Sequence, residues 1–112
     1  MELFLLCFTT NDMRSFELDI LDGHAIMHNN NDVILIDTGA PSTLHKNDTL
    51  DFMSVNYPVL TKFMGMTVGD LSVLLGKYVT TLPGIDVLKN YSILFDYKNR
   101  SVKFNYNETD KD

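Results

Sequence analysis

Residues 15–21, SFELDIL, alternate strictly. Phe16, Leu18 and Ile20 share one face of an extended chain, and Glu17 and Asp19 take the other. That period of two predicts a half-buried strand. Asp22-Gly23 follows as a turn dipeptide, and HAIMH, residues 24–28, predicts a second strand. The run Asn29-Asn30-Asn31-Asp32 tolerates the left-handed backbone of a tight turn. Residues 33–36, Val-Ile-Leu-Ile, are apolar without a break, as in a strand covered on both faces. Residues 3–9 are also apolar and predict a strand upstream. Together these segments predict an antiparallel meander.

The pattern then changes. Pro41-Ser42 ends the third of these strands, and residues 43–55 are polar, mixed and without a clear period. Residues 57–66 leave room for a strand with Pro58 near its start. From residue 67 to 78 the period lengthens. Leu71, Leu74, Leu75 and Tyr78 fall on one helix face, and Thr67 and Asp70 have the spacing of a capping box. Gly76 lies inside this predicted helix and weakens it. Asp86 is placed to cap a short helix over residues 87–90. Residues 91–97 and 101–106 flank Lys98-Asn99-Arg100 as a hairpin, and residues 106–112 form a charged tail expected to fray. The order of elements predicts a mainly β fold with one or two short helices, in a single domain over residues 1–112.

Composition narrows the partners. Hydrophobic residues make up 45% of the chain and charged residues 21%, an ordinary globular balance. The formal net charge of -6 argues against nucleic acid or an anionic membrane as the main partner. Cys7 is the single cysteine, so neither an intrachain disulfide nor a cysteine metal cluster can form, which fits a reducing compartment. The start, MELFLLCF, lacks a basic region and is too short for a signal peptide, and no apolar run is long enough to span a membrane. The expectation is a soluble, cytoplasmic protein. His24 and His28 share a strand face but stand too far apart for easy chelation, so neither a metal site nor a cofactor is expected. His45 reads as a polar residue near a cleft, and Met53, Met64 and Met66 as gap-filling core or, alternatively, as the lining of a cleft. Asp96 is expected to face solvent or to pair with Lys98 or Lys103. Lys89, Lys98, Arg100 and Lys103 form a solvated hairpin face.

The chemistry concentrates where residues 33–36 run straight into Asp37, followed by Thr38, Gly39, Ala40, Pro41 and Ser42. Taken alone, Asp37-Thr38-Gly39 also reads as a strand-ending turn in which the Asp caps its own backbone. In context, Leu35-Ile36-Asp37-Thr38-Gly39-Ala40 resembles the catalytic loop of aspartic peptidases, specifically the retroviral-type, retropepsin-like branch. LPGIDVL, residues 82–88, resembles that family's hydrophobic-hydrophobic-Gly segment, which threads beside the catalytic loop. YSILFDYKNRSVKF, residues 91–104, resembles its last β-hairpin. The resemblance runs from about residue 15 to residue 104.

It implies a closed β-barrel of the acid-protease type and a peptide or protein substrate. Asp37, Thr38 and Gly39 would be the catalytic residues. Ala40, Ser42, Gly84 and Asp86 would lie beside the substrate, although Asp86 also reads as a helix cap. The chain holds one Asp-Thr-Gly, so the second Asp37 would come from a second copy in a two-fold homodimer. Residues 3–9 and 101–106 are the candidate dimer strands. Two carboxylates about 3 Å apart share one proton, so one activates water while the other protonates the amide carbonyl oxygen. Two features depart from the family pattern. The interval from Asp37 to Gly84 is short and shows no glycine-rich flap hairpin, with only Gly65 and Gly69 as candidates. Pro83 also stands where an aliphatic residue is usual. Two readings therefore stay open: a homodimeric aspartic endopeptidase, or a non-catalytic dimerisation or peptide-binding module without a functional flap.

Overall fold

Left-handed turn residues set the first three strands in register. Asp22 and Gly23 both have positive φ, 52° and 81°, as a two-residue hairpin turn requires. They join β1 (Met13–Leu21) to β2 (His24–Asn29). Asn30, with φ 55°, lies in the turn from β2 to β3 (Asp32–Ile36). The computed structural model describes residues 13–36 and 39–107, so the strand expected over residues 3–9 lies outside the described residues. The register pairs Leu18 with Met27 and Ile26 with Leu35.

β4 (Leu44–His45), β5 (Thr49–Phe52) and β6 (Val55–Pro58) follow. They occupy the segment for which the sequence shows no clear period. β5 and β6 form a separate two-stranded hairpin, turning at Met53 and Ser54, both with positive φ. Pro58 closes β6 instead of opening a strand over residues 57–66, because a residue without an N–H is tolerated at a strand end. α1 (Val68–Leu75), β7 (Thr81–Leu82), α2 (Ile85–Leu88), β8 (Tyr91–Asp96) and β9 (Ser101–Tyr106) complete the described chain.

The fold is mainly β. Seven strands form one sheet in the order β4-β7-β3-β2-β1-β9-β8, and among the described residues no sheet closes on itself. The closed barrel of the sequence reading is thus an open sheet here. β9 lies between β1 and β8 and pairs with both. It has no free edge to offer, so residues 101–106 are not available as a dimer strand. The inner face of this sheet packs Leu18, Met27, Ile34, Val102 and Phe104 against Leu50, Phe52 and Met53 of the β5–β6 hairpin. Phe52, Tyr91 and Phe104 meet edge to face, an arrangement aromatic quadrupoles favour.

α1 begins at a reciprocal cap: Asp70 N–H donates to Thr67 Oγ1 at 3.1 Å, and Thr67 N–H to Asp70 Oδ2 at 3.0 Å. It stops three residues before Tyr78. Gly76 takes φ 67° and, with Lys77, closes a Schellman motif on Val73 and Ser72. The helix consequently packs Leu71 and Leu75 against Ile26, Leu35 and Val79, and Val68 is buried at its start. Leu74 and Tyr78, expected on the packed face, are 71% and 64% exposed. Asp96 accepts from the Asn99 backbone and side chain in the turn before β9, and the Lys103 charge and the Lys98 backbone N–H act on the same carboxylate more weakly. Met53 is core, whereas Met64 is 88% exposed. No helix of the described residues is long and apolar enough to cross a membrane.

Candidate active site

β3 carries the chain to Ile36, and β4 starts at Leu44. These two strands are not neighbours. β7 lies between them, parallel to β3 through Ile34 and Thr81, and antiparallel to β4 through Leu44–Leu82 and His45–Thr81. The loop from β3 to β4 must therefore span the end of an inserted strand. Asp37 and Thr38 lie outside the described residues, while their neighbours Ile36 and Gly39 lie within them.

The described part of the loop is held by the segment that leaves β7. Gly84 is buried and packs its backbone against that of Ser42, leaving no space for a Cβ. Ile85 N–H donates to Ala40 O at 3.0 Å. Gly84 N–H donates to Thr43 Oγ1 at 2.8 Å. Pro83 is buried beside Phe52, Val87 and Leu88, where its ring fills apolar space and brings no N–H to leave unpaired. The structure thus brings Ala40, Ser42, Gly84 and Asp86 together, and leaves Gly39 exposed in a turn.

Asp86 does not cap α2. The helix starts two residues earlier than expected, at Ile85, with Gly84 as an N-cap that makes no side-chain bond. Asp86 sits in the first turn, and its carboxylate reaches out of the helix to Thr43. Oδ1 accepts from Thr43 Oγ1 at 2.7 Å and Oδ2 from Thr43 N–H at 3.2 Å.

Sequence reasoning missed a buried polar row behind the loop: Thr43, His45, Thr80 and Thr81, none more than 3% exposed. His45 Nδ1 lies 3.0 Å from Thr80 O and 2.7 Å from Thr81 Oγ1. The carbonyl can only accept, so Nδ1 carries the proton. Thr80 Oγ1 in turn donates to Asp32 Oδ1 at 2.9 Å and accepts the Val33 N–H at 3.0 Å. These bonds tie β3, β4 and β7 together through side chains where β7 offers only two residues of ladder. Burial holds the His45 imidazole below its usual value, partly offset by the Asp32 carboxylate and the Thr80 carbonyl, while Lys46 reinforces the lowering. The one signal available in sequence was the hydroxyl pair Thr80-Thr81 directly before LPG.

Neither a protein-family model, a curated protein nor a solved structure matches the chain. The geometry therefore carries the functional reading.

A groove of about 460 Å³ opens at the end of β3. Buried Ile26 and Leu35 line it together with Leu75, and Asp22, His24 and Lys77 supply its polar positions. Leu35 lies two residues before Asp37. His24 adjoins Ala25, which pairs with Ile36. On the far side of β4 from β7, Leu60 N–H donates to Thr43 O and Leu60 O accepts from His45 N–H. From there the chain makes a tight turn over residues 63–66, closed by two Phe63–Met66 backbone bonds, with Met64 and Gly65 at its tip. Gly69 is a residue of α1. Among the described residues, no group of three or more His, Cys, Asp or Glu side chains is arranged to hold a metal. His28 instead meets Asp19 across β1 and β2 at 2.9 Å.

Proposed function

We propose that this chain is a retropepsin-like subunit that hydrolyses peptide bonds as a homodimer. The Asp37 carboxylates of two copies would share a proton and activate a water. One observation carries the reading. β7 is threaded between β3 and β4, and the Pro83-Gly84 that follows it sets Gly84 backbone against Ser42, with Ile85 bonded to Ala40. A loop pinned this closely by a second segment suits a carboxylate that must be held in a fixed place, since preorganised charge is the largest element of such catalysis. The groove beside Leu35 supports the same reading, because it gives an extended peptide apolar space next to that loop. In this account the exposed turn over residues 63–66, hung from β4, stands in for the missing flap and covers the peptide.

The test is cleavage of a peptide mixture between pH 4 and pH 6, comparing wild type with Asp37→Asn, alongside sedimentation. Cleavage by a dimer that vanishes in Asp37→Asn supports the proposal. Equal cleavage by the variant, or a monomer at all concentrations that cleave, rules it out.

The second reading, a dimerisation or peptide-binding module without catalysis, draws on a different observation. The β5–β6 hairpin is packed into the core through Leu50, Phe52 and Met53 and so is not free to close over a substrate. Peptide binding by wild type and Asp37→Asn alike, with no cleavage by either, is its expected result.

A further inference from the structure

Asp86 is exposed, yet both of its carboxylate oxygens are directed at one buried residue forty-three positions away in sequence. That residue, Thr43, is 0% exposed. Its hydroxyl has a single proton and two described partners. The Gly84 N–H can only donate, so the Thr43 hydroxyl must accept there and give its proton to Asp86 Oδ1. The result is a one-way relay: Gly84 N–H to Thr43 O–H to Asp86 carboxylate. A second bond, Thr43 N–H to Asp86 Oδ2, fixes the backbone of Thr43 as well. Only a group that accepts at both oxygens satisfies both donors. An amide in its place would set an NH₂ against one of them.

A helix-capping role does not account for this arrangement. The α2 N-cap is Gly84, and the Asp86 bonds leave the helix altogether. They end at the point where the β7–α2 segment and the β3–β4 loop meet. Gly84 N–H is bonded to Thr43, and the next residue, Ile85, is bonded to Ala40. A shift of Thr43 therefore moves both attachments of the loop that follows Asp37-Thr38-Gly39.

We infer that Asp86 is a positioning residue. Through Thr43 it sets how closely the Gly84 segment seats against the loop, without itself touching peptide or water. The kinetic half of this inference rests on the peptidase reading above, while the structural half stands apart from it. Displacing a reacting group by about 1 Å from a distance costs on the order of 100-fold in rate.

The experiment measures two quantities in wild type, Asp86→Ala, Asp86→Asn, Thr43→Val and Thr43→Ser. The first is kcat and KM on a peptide the wild type cleaves. The second is hydrogen exchange at the Gly84 amide, with the β1–β9 amides as the reference for intact folding. Asp86→Ala is expected to lower kcat by roughly 10- to 100-fold with KM little changed, the mark of lost transition-state positioning. Its Gly84 amide is expected to exchange at least about ten-fold faster while the β1–β9 amides keep their protection. Asp86→Asn falls between the two. Thr43→Val loses Gly84 protection, and Thr43→Ser, which keeps the hydroxyl, regains it. The double variant Thr43→Val/Asp86→Ala is no worse than the worse single change, because the two residues act as one unit. If Gly84 exchanges in Asp86→Ala at the wild-type rate, the relay is wrong whatever the kinetics. If Gly84 responds and kcat does not, Asp86 is not a positioning residue. If the wild type cleaves nothing, the peptidase reading fails, and unchanged Gly84 exchange would overturn the relay separately.

Discussion

Gly84 and Ser42 meet backbone to backbone: a Cβ on Gly84 would lie 2.4 Å from the Ser42 carbonyl carbon and 2.7 Å from its nitrogen and oxygen. No rotamer change relieves a clash with backbone, so Gly84→Ala must push the β7–α2 segment away from the loop. The expected cost is about 3 kcal/mol, the upper end for overpacking. Denaturant unfolding should show it as a lower midpoint with an unchanged m-value. Gly65→Ala offers the contrast, since nothing lies within 4 Å of its Cβ position and only its φ of 80° opposes the change.

His45 should make stability fall as the solution is acidified. Burial lowers its folded-state value below the ordinary 6.5. Below that ordinary value the unfolded chain takes up the proton first, so unfolding is favoured as pH drops, until the folded value is passed. The slope from this one group cannot exceed about 1.4 kcal/mol per pH unit. Unfolding midpoints at pH 7, 6 and 5 should decline, and His45→Gln should flatten the decline while lowering stability at pH 7. A wild-type profile equally flat in His45→Gln and wild type would contradict this.

Thr67→Ala removes one arm of the α1 cap and should cost about 1 kcal/mol. It carries a second signature. The Thr67 backbone and hydroxyl bonds hold the Asp70 carboxyl below its usual value. The variant should move the Asp70 titration, followed by NMR, back upward.

Met64 holds a left-handed backbone, φ 52°, while 88% exposed. It contributes little packing and bears the steric cost that side chains meet in that region. Met64→Asn is expected to stabilise by about 0.5–1 kcal/mol, read as a higher thermal midpoint. Should the same variant raise KM in a peptide-cleaving dimer, the turn over residues 63–66 would gain support as the cover of the site.

The parts of the fold legible in sequence were those fixed by short-range rules. SFELDIL declares the inward Phe16 and Leu18 by alternation, although Ile20 on the same side is exposed, and Asp22-Gly23 declares its turn and Thr67 with Asp70 the start of α1. The hairpin of β8 and β9 was plain for the same reason. β5 was not read from sequence: Thr-Leu-Asp-Phe alternates, with Leu50 and Phe52 the buried pair, but four residues are too few to stand out from a polar surrounding. The end of α1 misled because Gly76 reads as a weak helix residue until its left-handed backbone is seen. What local pattern could not reveal was long-range pairing. Thr43 meets Asp86, and His45 meets Thr80 and Thr81, only because β7 enters between two strands made much earlier. For the same reason Asp86 looked like a cap: from sequence its nearest orphan donors are those of its own helix.

The pairing of β1 with β9 joins two strands from opposite ends of the described chain. β1 can fold against β2 at once, but its other edge stays open until β9 arrives. Through that interval Phe16 and Leu18 lack the Val102 and Phe104 that cover them in the finished core. Non-local closure of this kind is slow, and an open, apolar-faced strand is a template for the wrong partner. The chain should therefore refold cleanly when dilute and lose yield to aggregation as concentration rises, with the loss set in the interval before β9 docks.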